Sequence, residues 1–186
     1  MCYNFGVRLL KHLIFISFLV IPTSLPALLV LSLNLEEIVK HAEQIFEGEC
    51  LEVVDGSDAN NRQVQFITFK VDKTYKGEPG NRFTFKQIVM DSAMELPRYE
   101  PGERVILFVS RPGRTGLSAP IGLKQGKFII SEDKDGNKWV SNGQSNTKIF
   151  SGMKSLSAFK GVSTGEERRE IPYKNFVSFL ETQKSQ

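Results

Sequence analysis

Past the first thirty residues, apolar positions recur at helical spacing at both ends of the chain and alternate with polar ones in between. Leu35, Ile38, Val39 and Ala42 fall on one helical face. Asn34-Leu35-Glu36-Glu37 before them forms a capping box, in which Asn34 accepts from first-turn amides and Glu37 reaches back. A short amphipathic helix from Asn34 to about Gln44 is predicted. Phe46, Gly48 and Cys50 then alternate with Glu47 and Glu49, the signature of a half-buried strand, and the apolar phase moves to Leu51 and Val53, which predicts a β-bulge. The turn formers from Asp55 to Asn61 close a hairpin. In its second strand Ile67, Phe69, Val71 and Tyr75 share one face, with Thr68, Lys70 and Asp72 opposite. After a turn at Gly77–Gly80, Phe83 and Phe85 begin a third strand. Pro101-Gly102 leads into Val105–Val109, apolar on both faces as a central strand requires.

Lys127–Ile130 and Lys138–Val140 flank an Asp-Gly hairpin tip. Residues 143–170 are polar and weakly patterned, a long excursion with one helical turn near Met153–Phe159. Pro172 suits the first turn of a last helix, whose stripe of Tyr173, Phe176, Val177 and Leu180 should dock on the sheet. Strands near 45–54, 64–75, 82–89, 104–110 and 127–131, with helices near 34–44 and 172–183, predict a mainly β domain. Its expected form is a small antiparallel barrel or a strongly curved sheet. No internal repeat and no second domain are visible.

The uncharged run from Leu13 to Leu33 changes the picture most. Arg8 and Lys11 precede it, Leu13–Ile21 is apolar, and Pro22 and Pro26 break the helix, the order of a secretory signal. The best cleavage site is Val30-Leu31-Ser32, with the cut before Leu33. The competing reading is an uncleaved N-terminal anchor, since the run is just long enough to span a bilayer. Either reading places the chain after about residue 33 outside the cytoplasm, periplasmic or extracellular, or tethered to the inner membrane. The division expected is 1–32 signal or anchor, 33–142 β domain, and 143–186 a polar excursion and helix packed on that domain.

Charge then narrows the partners. Without Arg8 and Lys11, the 24 Lys and Arg nearly cancel the 21 Asp and Glu, leaving a net charge near +1. Such a balance gives no support to nucleic-acid binding. Charge is unevenly placed, however: six acids and no base lie between Glu43 and Asp58, and four bases and no acid between Arg111 and Lys127. Cys2 leaves with a cleaved signal, so Cys50 stands alone and reads as a small core residue.

Most catalytic equipment is missing. His12 lies in the signal and His41 on the first helix, which excludes His-dependent triads and clustered-His metal sites in the body of the domain. Ser151-Gly152-Met153-Lys154 has Ser-x-x-Lys spacing, but so do the segments starting at Ser131, Ser145 and Ser157, and the chain is too short for that acyl-transfer fold. Gly122–Lys127 is no phosphate loop, because its glycines are one residue too close and Phe128 stands where Ser or Thr must hold magnesium. Asp133 and Asp135 do not start a calcium loop, since the twelfth position is Gln144. No cofactor and no metal are expected.

Asn34–Val39, Phe46, Gly48-Glu49, Thr68–Val71, Tyr75-Lys76-Gly77, Pro101-Gly102-Glu103, Val105-x-Leu107-Phe108 and Ser118–Phe128 follow one another in an order that resembles a family of uncharacterised exported bacterial proteins. The resemblance covers residues 34–130. The same order looks like the barrel of tissue inhibitors of metalloproteinases and netrin-like domains, which implies an OB-like five-stranded barrel. Those inhibitors chelate the protease zinc through a free N-terminal cysteine. A mature chain starting at Leu33 has none, so that mechanism is not carried over.

The function expected is an exported non-catalytic binding module that contacts a protein or cell-envelope polymer through its loops. The alternatives are a structural or assembly component of the envelope and, behind it, a small extracytoplasmic enzyme. The binding surface expected is the Gly- and Pro-punctuated loop between two strands. Arg111, Arg114 and Lys124 would meet an acidic partner, Leu117 and Ile121 would supply apolar contact, and Gln125 completes the set. The competing reading makes Pro120–Leu123 a lid across the barrel end, with Gln125 bonding backbone.

Overall fold

The computed structural model describes residues 31–89, 96–144, 146, 148–159 and 170–184. The signal or anchor reading of the first thirty residues lies outside them. Among the described residues no helix is long and apolar enough to cross a membrane.

Helix α1 (Leu35–His41) starts on the expected box: Asn34 Oδ1 accepts from the Glu37 amide, and the Glu37 carboxylate accepts from the Asn34 amide. It stops three residues earlier than predicted because Ala42 is already extended and Gln44 opens β1 (Gln44–Ser57). Strands β2 (Gln63–Lys76), β3 (Arg82–Ile88), β4 (Arg104–Val109) and β5 (Lys127–Glu132) occupy the remaining predicted windows. They are followed by β6 (Lys138–Asn142), a two-residue β7 (Ile171–Pro172) and helix α2 (Tyr173–Lys184). Short 3₁₀ turns lie at Leu123–Gly126 and Leu156–Phe159, the second within the predicted helical turn.

All the strands join one antiparallel sheet in the order β3-β2-β1-β4-β5-β6-β7. The ladder is not closed, and it has seven strands because β6 and β7 extend the sheet beyond β5. The bulge foreseen after Cys50 is one of three register shifts along β1. Gly48 sits between two of them, where a Cβ would lie 2.3 Å from the Lys70 carbonyl oxygen, so only glycine allows β2 to approach this closely.

β4 is central and buried on both faces. Ile106 and Phe108 enter one cluster, while Val105, Leu107 and Val109 enter the other. The first cluster lies under the helices: Leu35 and Ile38 of α1, Phe176 and Leu180 of α2, and Met153 and Phe159 cover Ile45, Phe108, Phe128 and Val140 of the sheet. Phe176 packs 4.6 Å from Phe128 and 6.2 Å from Phe108, ring centre to ring centre. The second cluster joins Phe46, Cys50, Ile67, Phe69 and Phe85 with Tyr99. Each fully buried aliphatic or aromatic side chain contributes roughly 1.5–3 kcal/mol.

Candidate functional site

The segment after β4 is bonded almost residue by residue. The Gly113 amide donates to the Leu117 carbonyl and the Gly116 amide to the Gly113 carbonyl, both at 2.8 Å, forming a tight tip. Ser110 and Ser118 tie the two stems together: the Ser118 hydroxyl donates to the Ser110 carbonyl at 2.7 Å, and the Ser110 amide donates to the Ala119 carbonyl at 3.0 Å. On one side Leu117 bridges Lys86 of β3 in parallel, and the Ser118 amide donates to the Lys86 carbonyl. On the other, Pro120 bridges Val109 of β4, and the Ile121 amide donates to the Phe108 carbonyl. The tip is therefore held from both sides by backbone bonds.

This framework separates the six predicted residues. Arg111 is 78% exposed at its side chain and places its guanidinium 3.2 Å from both Glu43 carboxylate oxygens. Arg114 is exposed at the tip and makes no hydrogen bond or ion pair among the described residues. Leu117 is half-buried beside them. Lys86, which sequence reasoning did not single out, joins the group by donating from Nζ to the Thr115 carbonyl at 2.9 Å. A Lys in an alternating strand carries no signal of this kind, because only the fold returns the tip to β3.

The other three residues turn away from the tip. Ile121 is half-buried against the helix-side core. Lys124 packs its stem on Gly143 and lines a hollow with Arg98 and Lys127. Gln125 is buried; its side chain accepts from the Leu33 amide at 2.8 Å and donates to the carbonyls of Leu31 at 3.0 Å and Gly122 at 3.2 Å. It bonds backbone, as the competing reading held, and fastens the start of the described chain. Gly126 faces inward, where a Cβ would lie 2.5 Å from the Ile121 carbonyl oxygen, so the glycine spacing serves packing.

Two polar clusters elsewhere went unnoticed in the sequence. Glu47 is buried on β1 and accepts from the hydroxyls of Tyr173 at 2.5 Å and Tyr75 at 3.2 Å, with Arg104 bridging to Glu47 and Asp72. Burial, and then the nearby Glu47, push the Tyr173 hydroxyl up to about 12, and Tyr75 is raised further, first by burial. Both stay protonated donors. The second cluster surrounds Lys127, whose ammonium donates to the Arg98 carbonyl at 2.5 Å and to Glu103 at 2.8 Å and lies 4.6 Å from the Tyr99 ring centre. Nearby Cys50 is fully buried, and burial followed by the Glu103 charge raises its thiol above the ordinary value. A thiol raised this way is a poor nucleophile. Among the described residues no three His, Cys, Asp or Glu side chains gather in a way that could hold a metal ion.

Comparison with protein-family models, curated proteins and solved structures gives no match to this chain.

Proposed function

We propose that this chain is an exported, non-catalytic binding module whose tip at Arg111–Leu117 engages an acidic protein surface or an anionic envelope polymer. The observation that carries the reading is the rigid presentation of Arg114. Its guanidinium has no partner among the described residues, yet its backbone neighbours are fixed to β3 and β4. Arg111 and Lys86 add charge beside it, and Leu117 adds apolar surface. A preordered loop loses less entropy on binding than a free one.

The OB-like five-stranded barrel belongs to this proposal. Leu117–Ile121 serves as the short fifth strand, parallel to β3 and antiparallel to β4; the two isolated bridges support this. The strand expected at 127–131 instead extends the sheet on the far side of β4. The 110–116 loop then connects strands four and five, a loop with which OB-like barrels bind polymers. Export rests on the N-terminal run and its flanking charges.

Poly-glutamate tests the charge requirement directly. The wild-type chain should bind it with an affinity that falls as salt rises, and R111S/R114S should lose most of that affinity. Equal binding by the two proteins rejects the tip.

A second reading, an envelope assembly component, draws on Val54 and Phe66. They are 49% and 37% exposed and sit opposite each other on β1 and β2, a small apolar strip on the sheet surface. Concentration-dependent self-association abolished by F66S would favour it.

A further inference from the structure

A cleft of about 370 Å³ opens between the C-terminal turn of α1, the end of β2 and the last turns of α2. That volume is at the small end of ligand sites, which run from about 300 to about 1,000 Å³. Val39, Ile45 and Leu180, all buried, form its apolar floor, and Lys40, Lys76 and Lys184 line it with no Asp or Glu among the lining residues. The nearest turn of α2 does carry Glu181, but its carboxylate is held by Lys73 at 2.6 Å.

The three lysines do not have equal duties. Lys76 donates from Nζ to the carbonyls of Val39 at 2.9 Å and Lys40 at 3.3 Å, closing the last turn of α1. An ammonium has three donors, so one remains for a ligand, on a group whose position is already fixed. Lys40 and Lys184 are exposed and make no hydrogen bond or ion pair among the described residues. Capping of the helix ends explains Lys76 without a ligand. It does not explain two further cations, unpaired among the described residues, around an apolar hollow.

We propose that this cleft binds a small amphiphilic anion: a carboxylate at the lysines, with an aliphatic body on Val39, Ile45 and Leu180. A neutral apolar ligand would leave the ammonium groups unused, and an acidic peptide without an apolar anchor would leave the floor bare. The site is separate from the Arg111–Leu117 tip and stands whether or not that tip binds a polymer.

Dodecanoate is the probe, titrated into the full chain by calorimetry beside its methyl ester. One dodecanoate should bind per chain, and the ester should bind about tenfold more weakly, the factor that 1.4 kcal/mol represents. K40S/K184S should weaken dodecanoate by a similar factor with an unchanged melting temperature, because exposed charges contribute little to stability. T74W, from a half-buried position lining the cleft, should abolish binding by filling it; if that variant folds poorly, K40S/K184S decides alone. R111S/R114S should bind dodecanoate like wild type. Equal affinity for acid and ester, full binding by K40S/K184S, or no binding at all would overturn the proposal. So would association with phosphatidylglycerol vesicles that survives T74W, since that identifies a cationic surface and not a cleft.

Discussion

The two halves of the sheet bury their faces by different means. On one side of β4 lie β1 and β2, fourteen residues each, with β3; their Phe46, Phe69, Phe83 and Phe85 form an aromatic cluster that Tyr99 and Val105, Leu107 and Val109 of β4 complete. On the other side β5, β6 and β7 have six, five and two residues, and their apolar face is covered by α1, the 153–159 segment and α2. The long half is a meander of near neighbours in sequence; the short half depends on chain that returns from far along the sequence, as when Phe176 meets Phe108, 68 residues earlier. Local alternation can specify the first kind of core, whereas the second needs helices brought together from both ends of the described chain.

Phe176→Ala is the sharpest way to break that contrast. Removing this ring from between Phe108 and Phe128 should cost about 3–5 kcal/mol in urea unfolding. Hydrogen exchange should accelerate in α2 and β5–β7 while β1–β3 amides stay protected. Equal loss of protection in all strands would show that the halves melt as one unit.

Next in size is Lys127→Ala. The ammonium is buried against Glu103 and the Tyr99 ring, so its removal strands a carboxylate near Cys50, at about 3 kcal/mol. K127M/E103Q should recover most of the loss in the same unfolding experiment. If the double variant is no better than the single one, the ion pair is not the reason Lys127 is held there.

The smallest effect concerns the turn that joins β1 to β2. The Arg62 side chain, then its backbone amide, hold the Asp58 carboxyl at about 2 instead of 3.8. A carboxyl lowered by folding adds stability that is fully present above its unfolded value and is lost as pH falls through the folded one. Asp58→Asn should therefore melt below wild type at neutral pH, and the gap should close between about pH 4 and about pH 2. A gap of constant size across that range contradicts this account of the turn.

The same contrast explains what the sequence disclosed. In the long half, alternation around Ile67, Phe69 and Val71 and the phase change after Cys50 could be read directly, as could the capping box of α1 at Asn34, because each is set by neighbours along the chain. The hidden features are non-local. Lys127 shares a strand face with Ile129, which is exposed, yet Lys127 is buried because residues 98–103 fold over it. Pro120 has no amide to donate and its neighbours are glycine-rich, so nothing marked 117–121 as a segment that reaches both β3 and β4. At the candidate site, the exposed Arg111 and Arg114 could be found from loop composition. The backbone bonding of Gln125 was open as the competing reading, whereas the contribution of Lys86 could not be read, since it follows from which strand the tip lies against.

The central claim is that the tip is the contact surface, and a quantitative pull-down from envelope extract tests it most directly. Wild type and R111S/R114S would be immobilised at equal density after their melting temperatures are shown to agree. The account predicts that a partner retained by wild type is lost from the variant and returns with R111K/R114K, which restores the charge. Undiminished retention of that partner by R111S/R114S would contradict it.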